Sequence, residues 1–527
     1  MMMGRGKGKK EHRVASGLFL LVLCGALSAG AELSLPHVFS DHMVLQQGKA
    51  VKVWGWATPG QEVTVQFRGA SATAHAGDAG RWALRIPSGK AGSESYRLLI
   101  RAGQEEIAIE DILVGEVWLA SGQSNMVWKL RLSAEPERAI AAADQPLIRM
   151  FHAPNVTTEP PQDDIEGQWT VCSPETAGEY SAVAYYYARK LQQELKVPVG
   201  VIVSAWGGKR IESFISRETL GARAETKHLM TALLRQEKTY DPAKALAAYG
   251  QRNAAFQAWI AEGRPANKPR PMPMKHKPQR PLLTAGQPGV IFNSMIHPFI
   301  GYDVQGAIWY QGESNAHMSL LPYDVLLSLL VQDWRERWGY DFPFYFVQLA
   351  NFKAPTTEPG IEHPWPYVQD RMRRALAVIS HSGMAVINDV GEESNIHPKD
   401  KQTPGERLAR WALAKTYGRS MIHSGPLYAS YQRQAAALSV RFSCVGTGLR
   451  SRAGTALQRF EIAGSDGVWQ WAQAEIVGAD RVKLSHPNIS EPVAARYAWA
   501  SNPTGANLVN SEGLPASIFS TEDDNKQ

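Results

Sequence analysis

The stretch from Val114 to Met126 constrains this chain more than any other. It contains an apolar run that stops abruptly at Ser121 and is followed by Gly122-Gln-Ser124. The apolar part predicts a strand, and Gly122 permits the unusual φ of a sharp turn. A helix that begins after Ser124 would direct unpaired backbone N–H groups at this serine. The stretch therefore predicts a strand, a turn and a candidate nucleophile.

The turn differs from the nucleophile elbow of the α/β-hydrolases. That elbow has the pattern Gly-x-Ser-x-Gly, whereas Met126 occupies the place of the second glycine here. A serine that follows a glycine is most often an ordinary turn residue. Catalysis is therefore predicted only if other reactive or donating groups meet Ser124.

From Asp111 onward, short apolar strands alternate with helical segments. The predicted strands are residues 114–119, 199–203, 306–310, 342–349 and 384–388, and the predicted helices are 180–195, 325–338 and 368–379. This βαβ order is typical of an α/β fold, with a parallel sheet flanked by helices. Such sheets bind their ligands beyond the carboxyl ends of the strands.

Polar residues and glycines follow four of the five predicted strands. These segments are Gly122-Gln-Ser-Asn125, Ser204-Ala-Trp-Gly-Gly208, Gln311-Gly-Glu-Ser-Asn315 and, beyond the loop after Asp389, Ile396-His-Pro398. Packing does not explain this composition. Together the segments supply a nucleophile, backbone donors, an amide donor and a base, which are the parts of an acyl-transfer site.

Ser124 and His397 are the predicted nucleophile and general base. The proline after His397 restricts the backbone there and so limits where the imidazole points. The predicted oxyanion-hole donors are the backbone N–H groups of Ser124 and of Gly207 or Gly208, with the side-chain amide of Asn315. An asparagine amide is suited to this role because it donates without carrying a charge.

The remaining sequence predicts β domains on both sides of the α/β part. The chain has 527 residues, too many for one hydrophobic core. Apolar residues with period two predict β-sandwich-like domains over residues 32–107 and 421–527. The catalytic domain then spans 108–420, with an insertion around 220–286 that includes a proline-rich linker. Scaffolding is favoured over carbohydrate binding for the N-terminal domain.

Residues 1–31 predict a signal peptide. A basic segment precedes an apolar core too short to span a bilayer, and Ala29-Gly-Ala31 is a suitable cleavage site. Cys24 is preceded by Leu23 instead of a small residue, which disfavours lipidation. We therefore expect an exported protein, periplasmic or extracellular, with no membrane association after cleavage.

Charge, cysteines and motifs exclude several classes of protein. Loss of the leader lowers the formal net charge from +6 to +2 and leaves no basic block, so no nucleic-acid partner is expected. The mature chain keeps only Cys172 and Cys444, which could form one disulfide in an oxidising compartment but are expected to be free thiols. Zinc-ligand and dinucleotide motifs are absent from the sequence, so neither a metal nor a cofactor is predicted.

Five motifs resemble the sialate O-acetylesterases of the SGNH hydrolase superfamily. They are Leu35-Pro-His-Val-Phe-Ser-Asp-His-Met-Val-Leu45, Ser121-Gly-Gln-Ser-Asn-Met126, Trp206-Gly-Gly208, Ile308-Trp-Tyr-Gln-Gly-Glu-Ser-Asn315 and Ile396-His-Pro-Lys-Asp-Lys401. The resemblance spans nearly all of the mature sequence. It implies Ser124 as nucleophile, His397 as base, and Asn315 with a Gly207 or Gly208 amide in the oxyanion hole. It also implies metal-independent release of acetate from O-acetylated sugars.

The orienting carboxylate departs from the family pattern. Many SGNH hydrolases have an aspartate two or three residues before the histidine, where this chain has Asn395 and Ser394. We expect Asp389, at the end of a strand, to orient His397. The alternatives are Glu392, Glu393, or a Ser–His dyad steadied by a backbone carbonyl.

Substrate contacts are expected from Gln123, Glu313 and Lys209. Lys209 is a second departure, because a small hydroxyl residue is more usual after the glycine pair. A cation there would attract an acidic sugar, although an exposed lysine is the commoner finding.

The sequence thus predicts an exported serine esterase that removes O-acetyl groups from sugars, with sialic acids as the first substrate class. Acetylated plant or algal polysaccharides, such as acetylated xylan, are the alternative substrates. A sugar-binding protein on an inactive hydrolase scaffold is the alternative of a different class. The joint presence of Ser124, Asn315 and His397 argues against an inactive scaffold.

Overall fold

The computed structural model describes residues 32–265, 267–316 and 321–522. The predicted signal peptide, residues 1–31, lies outside the described residues. Within the described ranges, no helix combines the length and the apolar character needed to cross a bilayer.

The N-terminal region is β structure that continues into the central sheet. Its strands are β1 Val44–Gln46, β2 Ala50–Trp56, β3 Glu62–Phe67, β4 Ala70–His75, β5 Arg81–Pro87, β6 Gly92–Ala102 and β7 Glu105–Gly122. β3 pairs with β4 and β6, β6 with β7, and β2 with β5, all antiparallel. Every second residue of β5 is buried, which is the pattern of a strand with one face on the core.

β7 belongs to two kinds of β structure at once. Residues 105–110 mostly alternate between exposed and covered positions, whereas every residue from Ile112 to Gly122 is buried. The first part pairs antiparallel with β6, and the second part pairs parallel with strands of the central sheet. A continuous buried run suits a parallel sheet covered on both faces. The predicted domain boundary at residues 107 and 108 falls inside this strand.

The central sheet is parallel except at one edge. Its other strands are β8 Ile148–His152, β9 Trp169–Val171, β10 Val199–Ala205, β11 Gly306–Tyr310, β12 Phe344–Val347 and β13 Ser382–Ala385. The order is β13-β12-β11-β7-β10-β8-β9, and only the β8–β9 pair is antiparallel. The predicted α/β class is confirmed, with a mixed central sheet. β8 and β9 were not predicted.

The helices flank this sheet and form the insertion. They are α1 Ser124–Val127, α2 Pro136–Ala141, α3 Ala182–Leu195, α4 Arg217–Ala222, α5 Lys227–Thr239, α6 Pro242–Ala261, α7 Tyr323–Trp338, α8 Pro364–Val378 and α9 Gln402–Trp411. α3 packs against α9, and α7 packs against α8. Within the insertion, α6 buries none of its residues, so it contributes little to the core.

The C-terminal region has small antiparallel sheets. Its strands are β14 Leu427–Gln434, β15 Ala437–Ser443, β16 Leu449–Ser451, β17 Phe460–Ala463, β18 Trp469–Trp471, β19 Gln473–Val477, β20 Arg481–Ser485, β21 Ala494–Tyr497, β22 Leu508–Asn510 and β23 Phe519–Ser520. They enclose a core of their own, which includes Leu438, Phe460 and Phe519. A single larger core joins the N-terminal strands to the central sheet.

Three neighbouring strands of the central sheet end at the same level. Gly122 in β7 pairs with Ala205 in β10 and with Tyr310 in β11. The segments that follow these strands therefore leave the sheet from one edge, where the strand order changes direction. Gly122 has a φ of 137°, and an added Cβ would lie 2.2 Å from the carbonyl oxygen of Tyr310. Only glycine fits this position without a shift of the turn.

We expect Gly122→Ala to lower the free energy of unfolding by at least about 2 kcal/mol, because strain and a backbone clash act together. Thermal or denaturant unfolding measures the change. Gly60→Ala is the matched control, since Gly60 also has a positive φ but no atom near an added Cβ. Equal losses in the two variants would show that the approach to Tyr310 is unimportant.

Candidate active site

Ser124 and His397 meet at the carboxyl edge of the central sheet. Nε2 of His397 and Oγ of Ser124 are 2.8 Å apart. Ser124 is the first residue of α1, directly beyond β7, and His397 lies in the loop between β13 and α9. Both are half-buried. With Nε2 unprotonated, the serine hydroxyl donates to it, which is the geometry of a nucleophile and its general base.

The position of His397 is set by Asn395 and Trp128. Oδ1 of Asn395 accepts from the backbone N–H of His397 at 3.0 Å, and its Nδ2 donates to the carbonyl of His397 at 2.7 Å. The Trp128 ring stacks on the imidazole, with centroids 5.1 Å apart and planes inclined by 20°. These contacts hold the base from two sides. Sequence reasoning assigned no role to Trp128, because only the fold brings it to residue 397.

Burial lowers the pKa of His397 below its usual value, and the nearby charge of Lys401 lowers it further. The imidazole is therefore mostly neutral at neutral pH. A general base needs this protonation state in order to accept the proton of the nucleophile.

Backbone donors lie next to the nucleophile. A Cβ added to Gly207 would lie 3.3 Å from Cβ of Ser124, so the backbone at Gly207 passes close to the serine. Among the described residues, the N–H groups of Ser124 and Gly207 have no backbone acceptor. Gly208 is exposed and has a φ of 70°, with open space around it. Unpaired N–H groups of this kind are suited to a developing negative charge.

Asn315 is buried, and its amide orientation is fixed. Its Oδ1 accepts from Nε2 of Gln311 at 2.7 Å and from the N–H of Ile211 at 3.1 Å. Its Nδ2 donates to Glu212 at 3.0 Å. Among the described residues, Glu212 is the one acceptor for Nδ2 of Asn315. The second N–H of this amide is therefore available to donate to another group.

Gln123 and Glu313, two of the expected substrate contacts, are buried and joined to neighbouring segments. Gln123 is 3% exposed, and its Oε1 accepts from Gln311 and from the N–H of Ser314. Glu313 is 7% exposed and accepts from Asn125 at 2.5 Å. Burial raises the pKa of Glu313. A role for either in substrate binding stays a prediction.

Lys209, the third expected substrate contact, lies beside the glycine pair. Its Nζ is 5.3 Å from the centre of the Trp206 ring. The side chain is half-buried, and this burial lowers its pKa. No carboxylate of the described residues forms an ion pair with it.

Asp389 is placed against arginines. Its carboxylate accepts from both terminal nitrogens of Arg407, at 2.6 and 2.9 Å, and from Arg452 at 3.1 Å. Burial alone would raise the pKa of Asp389, but these arginines outweigh it and hold the pKa below its usual range. No hydrogen bond joins Asp389 to His397 in the described structure. The described contacts therefore give no support to the expected orienting role of Asp389.

The two glutamates organise the loop around the base. Glu392 accepts from the N–H of Lys399 and from Nδ2 of Asn395. Glu393 is exposed, and its carbonyl accepts from the N–H of Lys353. Of the residues that the structure describes, none accepts a hydrogen bond from Nδ1 of His397. Glu392 thus reaches the base only indirectly, through Asn395.

The cysteines of the described residues form no disulfide. Cys172 and Cys444 are both free thiols, as expected, and burial raises the pKa of Cys172 to about 12. Residues 32–265, 267–316 and 321–522 contain no group of three or more histidine, cysteine or acidic side chains arranged to hold a metal ion.

Comparison with known proteins identifies relatives over most of the chain. No family model matches. Sialate O-acetylesterase of Mus musculus is 28% identical over 447 residues, which cover 78% of this chain and 79% of the mouse protein. The Homo sapiens sialate O-acetylesterase is 28% identical over 458 residues, covering 79% and 78%. The crystal structure of a carbohydrate acetylesterase from Xanthomonas citri is 32% identical, with a TM-score of 0.78, and covers 93% of this chain and 99% of that one.

These relatives, together with the Ser124–His397 pair, define the class of the protein as a carboxylic ester hydrolase. Within this class, the chain belongs to the family of the sialate O-acetylesterases and related carbohydrate acetylesterases.

We expect Asp389→Asn to lower the melting temperature while kcat stays within about threefold of the wild-type value, because its partners are arginines. Loss of an orienting aspartate would instead lower kcat on the order of 10⁴-fold. Steady-state kinetics with 4-nitrophenyl acetate and a thermal melt measure both quantities. Asp480→Asn is the matched control, since Asp480 pairs with exposed Arg441 and such pairs contribute little.

Proposed function

We propose that the protein is an exported serine esterase of the SGNH type that removes O-acetyl groups from sugars through an acetyl-enzyme on Ser124. The observation that carries this proposal is the 2.8 Å hydrogen bond between Ser124 and His397. The unpaired donors beside Ser124 support it. So do the relatives, which are named as sialate O-acetylesterases and a carbohydrate acetylesterase.

In the first half of the reaction, Oγ of Ser124 attacks the acetyl carbonyl carbon, and Nε2 of His397 takes the hydroxyl proton. The carbonyl oxygen becomes an oxyanion that accepts from the N–H groups of Ser124 and Gly207 and from Nδ2 of Asn315. Collapse of this intermediate breaks the bond to the sugar oxygen, which receives the proton from His397. Donors fixed before the reaction stabilise the new charge without reorganising.

In the second half, His397 takes a proton from water as the water oxygen attacks the acetyl-enzyme. A second oxyanion forms at the same donors. Its collapse releases acetic acid, which ionises to acetate in water, and the proton on His397 returns to Oγ of Ser124. One imidazole thus serves as base and acid in turn, which requires a pKa near or below neutrality.

We propose that the base works in a Ser124–His397 dyad. Asn395 and Trp128 supply the orientation that a carboxylate supplies in a triad, through backbone hydrogen bonds and ring stacking. Asp389 then braces the loop against Arg407 and Arg452.

The domain division belongs to the same proposal. Residues 108–420 form the catalytic unit with an insertion around 220–286, residues 32–107 form a scaffolding β domain, and residues 421–527 form the C-terminal β domain. The separate C-terminal core supports the last division.

For the substrate, we propose O-acetylated sialic acids, with acetylated neutral polysaccharide as the alternative. Lys209 favours an acidic sugar, because it lies beside the glycine pair and no carboxylate of the described residues pairs with it. A lysine ammonium without a partner attracts a sugar carboxylate across a few ångströms.

We expect Ser124→Ala to lower kcat for acetate release by at least about 10⁴-fold, because the nucleophile is lost. Mass spectrometry should find an organophosphonate adduct on Ser124 of the wild-type protein. Ser394→Ala is the control, since Ser394 is exposed in the same loop as His397. A stoichiometric adduct on another serine, with Ser124→Ala still active, would contradict the proposal.

We expect Lys209→Thr to raise KM for O-acetylated sialosides about tenfold and to leave KM for acetylated xylo-oligosaccharides unchanged. The difference should shrink at high salt, because dissolved ions screen a charge that is partly exposed. Lys209→Arg, which retains the charge, should keep the preference. An equal change for both substrates would show that Lys209 does not distinguish charge, and a wild-type preference for the xylo-oligosaccharides would favour the alternative.

A further inference from the structure

Lys401 is a buried cation four residues beyond His397. It is 1% exposed, and no carboxylate of the described residues forms an ion pair with it. Its ammonium donates to Oδ1 of Asn125 at 2.5 Å and lies 5.4 Å from the centre of the Trp128 ring and 5.8 Å from that of Tyr310. Removing a charge from water is unfavourable unless its contacts compensate. The position therefore requires an explanation beyond packing.

Asn125 connects this cation to two other segments. Its Nδ2 donates to Oε1 of Glu313 at 2.5 Å and to the carbonyl oxygen of Ile396 at 3.1 Å. The amide has a defined orientation, because Lys401 supplies only donors and the carbonyl of Ile396 only accepts. A buried chain thus runs from Lys401 through Asn125 to Glu313.

Asn125 and two of the residues that it contacts are close in sequence to reacting groups. Asn125 directly follows Ser124, Ile396 directly precedes His397, and Glu313 is two residues before Asn315. These segments come from different strand ends and are far apart in sequence. The nucleophile and the base also meet directly, at the hydrogen bond between Ser124 and His397.

We propose that Lys401 is a positioning residue whose ammonium, acting through Asn125, holds the segments of Ser124, His397 and Asn315 in one arrangement. This inference rests on the proposed function, since it takes these three residues as the reacting and stabilising groups. Lys401 itself does not touch the reacting atoms.

The charge of Lys401 has a second effect on the base. Its positive charge lowers the pKa of His397 beyond the effect of burial, because two cations close together repel. Burial lowers the pKa of Lys401 to about 7, against the opposing effect of Glu313, Glu392 and Asp400. The ammonium is therefore present through the acidic pH range in which His397 titrates. In this range, the charge on the same side chain also disfavours protonation of His397.

The test is Lys401→Met, which keeps much of the side-chain volume and removes the ammonium. We expect kcat for 4-nitrophenyl acetate to fall about 100-fold, the loss that accompanies a misplacement of about 1 Å. We also expect the acid limb of the kcat/KM profile to move to higher pH, because His397 loses a neighbouring charge. A purely structural lysine would not move this limb. Lys399→Met is the matched control, since Lys399 is exposed two residues away.

A second variant addresses folding. Lys401→Met removes a positive charge that acts on buried Glu313, so Lys401→Met/Glu313→Gln, which removes both charges, should fold more stably than the single variant and still show the shifted acid limb. An unchanged kcat or an unchanged acid limb in a folded variant would overturn the inference. Organophosphonate labelling of the wild-type protein distinguishes failure of the proposed function from failure of this inference. If Ser124 is not labelled, the proposed function is refuted. If Ser124 is labelled but Lys401→Met has unaltered kinetics, only the role of Lys401 is refuted.

Discussion

The close approach of Gly122 to the backbone of Tyr310 is the contact on which the site depends. It lets β7, β10 and β11 end at one level, with a turn after β7 tight enough to bring Ser124 over the edge of the sheet. Any side chain at residue 122 would displace that turn. The segments that carry Ser124, the glycine pair and Asn315 all leave the sheet at this edge. The register of the three strands therefore sets the distances between these groups.

Below this edge, polar side chains replace the apolar packing of the sheet. Nε2 of Gln311 lies within hydrogen-bond distance of Oε1 of Gln123, the carbonyl oxygen of Lys209 and Oδ1 of Asn315, which share its two N–H groups. The hydroxyl of Tyr323 donates to Oε1 of Gln311. Buried polar groups are stable only when they are hydrogen-bonded, and a satisfied network holds one geometry. This layer explains why Gln123 is nearly inaccessible although it belongs to an active-site motif.

Local sequence patterns predicted the strands that are marked by continuous apolar runs. The strand at residues 306–310 was predicted with its observed bounds, and the carboxyl ends of β7 and β10 lie within three residues of the predicted ones. β8 was missed because Arg149 interrupts a short apolar run, although that arginine is buried against Asp111. In the candidate site, too, contacts between residues far apart in sequence could not be predicted from local patterns. Arg407 and Arg452 reach Asp389 from separate elements, and nothing in the sequence near residue 389 indicates them.

The shared strand β7 has a consequence for how the chain can be divided. Because its first part pairs with β6 and its second part with β10 and β11, the N-terminal strands and the central sheet share one core. A protein truncated at residue 108 would begin in the middle of a strand and would expose unpaired backbone groups along β7. Exposed strand edges of this kind pair with other chains. We therefore expect the N-terminal β structure to limit self-association of the central sheet in addition to acting as a scaffold.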